Sequence, residues 1–165
     1  MHVEAITAVT AIAIVAAIVG FLALSPNSGE GEDAYLRTLD RTCVAEKERV
    51  TNLEQETLQE GTPNIAVFAS VLVTIVAEWR ANLESTPPPP VHAAAVAAVD
   101  TALREVLIEA GSLARMNREA PGSAAVAAQA GAVDKAAREV DAAIEELNLS
   151  ACSDLSVGLT AAQGS

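Results

Sequence analysis

Residues 5–24, AITAVTAIAIVAAIVGFLAL, make twenty consecutive positions without a charge. At about 1.5 Å rise per residue, twenty helical residues cover roughly 30 Å, the thickness of a bilayer's hydrocarbon core. The apolar region of a signal peptide is shorter, about 7–15 residues, with basic residues before it and a small-residue cleavage site after it. Here Met1-His2-Val3-Glu4 has neither Lys nor Arg, and Pro26 would stand just beyond a cut after Ser25. The pattern predicts an uncleaved N-terminal transmembrane anchor within residues 1–24. A removed signal sequence is the alternative, and a buried soluble helix is a third reading. Direction is weakly set, because no Lys or Arg comes after the apolar run until Arg37 and the positive-inside rule counts only nearby basic residues.

The chain as a whole is acidic. Twenty-two Asp and Glu face ten Lys and Arg, for a net charge of −12. Without a basic patch, phosphate-driven binding of nucleic acid is disfavoured, as is adhesion to an anionic lipid surface. Phe21, Tyr35, Phe68 and Trp79 are the whole aromatic complement, so stacking platforms for bases or sugars are not expected. The abundance of Ala with Val and Leu suits thin helices that approach closely.

Residues 25–31, SPNSGEG, read as a flexible linker of turn formers. A first helix is predicted over residues 32–60, with Leu36, Leu39, Cys43, Val50, Leu53 and Thr57 alternating at spacings of three and four. Glu46 falls inside that seam and is expected to snorkel or to pair with an Arg of another helix. Gly61 suits a helix end, and Thr62-Pro63 the cap and first position of a second helix over residues 63–84. Residues 65–77, IAVFASVLVTIVA, carry no charge. At thirteen residues they read as a buried core helix, with a second short membrane segment over residues 61–79 as the alternative.

The run of prolines at 87–90 reads as a stiff turn, since the residue before a proline is pushed out of the α region. It opens a third helix over residues 91–118, with Ala95, Val99, Leu103, Val106, Ala110 and Leu113 as its stripe and His92 exposed in its first turn. Ser123 is the expected N-cap of a fourth helix. Val126, Ala130, Val133, Ala137, Val140, Ile144 and Leu147 keep its period, and Asn148 suits a left-handed end. Residues 153–165 read as a disordered tail.

Four amphipathic helices with short breaks predict an all-α fold: an N-terminal transmembrane helix, then an up-down-up-down four-helix bundle over residues 32–152. Two cysteines, Cys43 and Cys152, allow one pairing. In such a bundle the end of helix four lies beside the start of helix one. Cys43 sits roughly 15 Å along helix one, and four extended residues after helix four reach back by up to about 13 Å. A disulfide is therefore feasible, and it favours an oxidising compartment outside the cytoplasm. Free thiols in a cytoplasmic protein are the alternative.

The order Y-L-x-x-L-D-x-x-C from Tyr35 to Cys43, the break from Leu83 to the prolines at 87–90, and the ending L-N-L-S-A-C from Leu147 to Cys152 carry a resemblance. Together they resemble a loose group of small exported helical proteins of actinobacteria, often lipoprotein-like, whose function is uncharacterised. Members often carry Gly where this chain has Asn148, which keeps the left-handed logic. No lipobox cysteine is present, so the resemblance implies no lipid anchor. It implies an extracytoplasmic bundle with a disulfide, over residues 35–152, and supplies no activity.

The chain has no Gly-rich phosphate loop, HExxH or GxSxG. No CxxC is present, and His2 and His92 lie far in sequence from either cysteine, so no metal or cofactor is expected. No catalytic residue is assigned. The expected role is a membrane-anchored protein-interaction or cell-envelope module with an unknown protein partner; a carrier of a small ligand or lipid between the helices is the alternative. A large internal apolar pocket would favour the carrier, an exposed apolar groove the interaction module, and converging buried carboxylates an enzyme.

Overall fold

The computed structural model describes residues 28–59 and 63–152, together with Leu155, Val157 and Leu159. The expected anchor, residues 5–24, lies outside the described residues. The chain divides into two compact units, Met1–Ala34 and Tyr35–Ser165. Of the first unit, only residues 28–34 are described, as helix. The described residues are all-helical, with four long helices and no strand: α1 (Ser28–Glu54), α2 (Ile65–Ser85), α3 (Ala93–Glu119) and α4 (Ala124–Glu145).

Helix α1 starts at Ser28, so the last part of the expected linker is helical rather than a flexible turn. Its buried stripe is Tyr35, Leu39, Cys43, Glu46, Val50 and Leu53, the three-and-four alternation of one helix face. The helix then widens to a π turn over Gln55–Gln59. That extra residue per turn moves Leu58, five after Leu53, into the buried row, and Thr57 is only half-buried. The Thr57 hydroxyl donates to the Leu53 carbonyl at 2.6 Å, and the Thr57 carbonyl accepts from the Asn64 amide at 2.7 Å. Leu58 therefore holds the core position expected of Thr57.

Helix α2 is capped by Asn64, whose side-chain oxygen accepts from the Val67 amide at 3.2 Å. The cap expected at Thr62 is thus two residues later. Asn satisfies an orphan N–H of the first turn, and Pro63 precedes the cap instead of opening the helix. Phe68, Ala69, Leu72, Ile75, Val76, Trp79 and Leu83 face the core. The helix stops at Ser85, with Thr86 extended before the prolines, as the residue before a proline prefers. Among the described residues α2 alone is long and apolar enough to cross a membrane; 33% of its most apolar stretch is buried.

Turn bonds from the His92 amide to the Pro89 carbonyl (2.9 Å) and from the Ala93 amide to the Pro90 carbonyl lead into α3. His92 is half-buried rather than exposed, because the chain folds around it at the helix start. Val96, Val99, Leu103, Val106, Ala110 and Leu113 line the buried face of α3; Ala95 lies at its edge, partly buried. Gly122, at φ 70°, takes the left-handed turn that other residues disfavour. Ser123 then caps α4 by accepting from the Val126 amide at 3.3 Å. All seven expected core positions of α4 and its exit are buried. Asn148 adopts φ 55°, the left-handed end its position suggests.

Beyond a 3-10 turn at Ser150–Cys152 the chain departs from expectation. Leu155, Val157 and Leu159 are buried in the core, Leu159 completely, so the segment expected to be a disordered tail supplies three core side chains. Leu155 and Val157 meet Val50 of α1, Leu72, Val76 and Trp79 of α2, Leu103 and Val106 of α3, and Ala137 and Val140 of α4 around one narrow gap. The Leu155 amide donates to the Asp141 carboxylate at 2.8 Å, which fixes the entry of the segment. The Leu159 amide donates to the Val157 carbonyl at 2.7 Å.

Candidate functional site

Two features outside ordinary core packing stand out: a buried disulfide and an open groove. Cys43 of α1 and Cys152 of the final 3-10 turn are joined by a disulfide, with their Cα atoms 5.7 Å apart and a sequence separation of 109. Both are essentially fully buried, at 1% and 0% exposure. Leu39 and Cys43 share a small apolar gap with Trp79, Leu83, Val96, Ile144 and Leu149, so the bond sits where the helices and the terminal turn converge. In the chain-entropy account, closing a loop of that length stabilises the fold by about 4–5 kcal/mol.

Ion pairs mark the seams between helices. Glu46, buried in the α1 face, accepts from Arg49 of the same helix at 2.7 Å, and Arg49 also reaches Glu78 of α2 at 2.7 Å. The partner of Glu46 is therefore within α1, one turn on, and Arg49 carries the link to the next helix. The hydrogen bond to Glu78 is the main reason the Arg49 guanidinium is held above its ordinary value. Arg80 of α2 donates to Asp100 of α3 at 2.7 Å and to Glu84 at 3.2 Å, while Asp100 also takes Arg104 at 2.9 Å. The bond to Asp100 likewise raises Arg80. Gln129 of α4 donates to both the backbone carbonyl and the carboxylate of Glu109 on α3.

The Tyr35 hydroxyl is buried with no hydrogen-bond partner among the described residues, and burial pushes its pKa up. Among the described residues Glu46 and Asp134 are the buried carboxylates, and they lie on different helices, α1 and α4. Among the described residues no group of three or more His, Cys, Asp or Glu is arranged to hold a metal ion. The gaps inside the core hold about 10 and 20 Å³, on the order of a single water.

On the outer face of the α3–α4 pair lies a groove of about 740 Å³. Its floor is alanine, including Ala98 and Ala102 from α3 and Ala136 and Ala143 from α4. Glu105, Glu109, Glu139 and Glu146 stand along it, with Lys135 as its one basic residue. In the sequence alone, these carboxylates look like ordinary solvated helix faces. The signal for the groove is the pairing of Ala with Glu at helical spacing on two consecutive helices, which only their packing converts into one concave surface.

No protein-family model, curated protein or solved structure matches the chain.

Proposed function

We propose that the chain is a membrane-tethered, extracytoplasmic helical bundle that engages a protein partner and carries no catalytic activity of its own. The observation that carries this reading is the Cys43–Cys152 disulfide, because buried structural disulfides persist in oxidising compartments and are rare in the cytosol. Residues 5–24 serve as the tether on the strength of their length and lack of charge. The sequence resemblance to small exported helical proteins points the same way.

Within this reading the helices run up-down-up-down. Arg80, five residues before the end of α2, meets Asp100, seven after the start of α3, and Arg49–Glu78 and Glu109–Gln129 join the other consecutive helices. The first of these pairings is what antiparallel neighbours give. Helix α2 is a core helix in this arrangement: Phe68, Leu72 and Trp79 are buried against its neighbours, and its ion pairs reach both α1 and α3. A carrier function is less well supported, since the interior gaps are far below the roughly 300 Å³ at which ligand pockets begin.

Carbonate extraction combined with protease treatment of intact cells tests the proposal. Expected is a chain that stays in carbonate-washed membranes and is digested by protease added outside. A chain found free in the medium would replace the tether with secretion after cleavage. Digestion only after lysis would overturn the orientation.

A further inference from the structure

We propose that the groove between α3 and α4 docks a basic amphipathic helix of a protein partner. The inference rests on the reading of the chain as an interaction module and names the surface and the chemistry of what it binds.

The floor comes first. Ala98, Ala102, Ala136 and Ala143 keep the groove shallow in side chains, so a third helix can lay large apolar residues between α3 and α4. Helices pack by setting the ridges of one into the grooves of another, and small residues at the contact shorten the approach. The two most exposed large hydrophobics of the described residues lie along the same stretch of chain. Ile108, 54% exposed, comes after Ala97, Thr101 and Glu105 at helical spacing on one face of α3; Val91, 68% exposed, stands one turn before Ala94.

Charge selects the occupant. Four glutamates stand along the groove, and its one lysine, Lys135, is already paired with Glu139 at 3.4 Å. A second copy of this chain would bring the same acidic rim against itself, and an anionic lipid surface would be repelled. A helix with a Leu or Ile stripe flanked by Lys and Arg satisfies both floor and rim, the helix-in-groove mode of recognition. Complementary rim charges of this kind set encounter rate and partner choice.

The test uses the full chain in phosphatidylcholine vesicles and a synthetic helical peptide probe of about three heptads, with Leu at a and d and Lys at e and g. A matched peptide with Glu in place of Lys is the comparison. Saturable binding of the basic peptide, and none of the acidic one, is expected. In the double variant Glu105→Lys, Glu139→Lys the basic peptide binds about tenfold more weakly and the acidic peptide gains binding, since two rim pairs change sign. Thr101→Trp, at an exposed position lining the groove, weakens the basic peptide without altering charge. Retention of the Cys43–Cys152 bond in each variant reports that the fold is intact. No saturable binding to the unaltered chain, or binding that neither variant changes, overturns the proposal. Which side of the membrane the domain occupies is read separately by the protease experiment, so the two conclusions fail independently.

Discussion

Tyr35 concentrates two consequences of burial in one side chain. Its ring fills the α1 seam at 9% exposure, and its hydroxyl has no hydrogen-bond partner among the described residues. Burial raises the phenol above its ordinary value of 10.0, so the folded state holds this proton more tightly than the unfolded state does. Below pH 10.0 both states keep the proton and the full stability is present. As pH rises past that value the unfolded chain ionises first, and stability falls until the folded pKa is passed. Because Tyr35 is the single tyrosine, its phenolate absorbance reads the titration without overlap from a second one. Tyr35→Phe should remove this alkaline loss and be neutral or stabilising by about 1 kcal/mol at neutral pH, since no hydrogen bond is given up. A denaturant series on both proteins checks it; a clear loss of stability in the variant would reveal a partner for the hydroxyl.

At the scale of elements, α4 is the most legible from sequence. Seven apolar positions keep one period, Ser123 caps the start and Asn148 turns the end, so local preference and packing agree. The end of α1 is less legible. A π turn shifts the buried row from Thr57 to Leu58, and a pattern of threes and fours carries no mark of a spacing of five. The final segment is obscure for a different reason. Leu155, Val157 and Leu159 alternate with the small residues Ser156 and Gly158, a run too short to register as an element. Only the gap left between the four helices gives Leu155 and Val157 somewhere to go. A chain ending at Cys152 keeps the disulfide and loses three buried side chains, each contributing about 1.5–3 kcal/mol, so the transition midpoint in denaturant should fall strongly. An unchanged midpoint would mean that this segment does not pack in the core. The groove is legible only in its parts, because its alanines and glutamates are ordinary on either helix alone.

For the whole molecule, the disulfide joins what sequence and structure each supply. The apolar run at residues 5–24 is the proposed span, and its flanks set no direction for it. The bond between Cys43 and Cys152 ties the first helix to the 3-10 turn beyond the last and supports the proposed oxidising side. Thiol trapping measures the oxidation of this pair in the cell directly. Cells are quenched in acid, the protein is denatured, and a polyethylene-glycol maleimide is added with and without prior reduction. Denaturation matters, because both cysteines are buried in the native fold. Expected is no mobility shift before reduction and a two-adduct shift after it. A two-adduct shift without reduction would show free thiols and contradict both the disulfide and the extracytoplasmic placement.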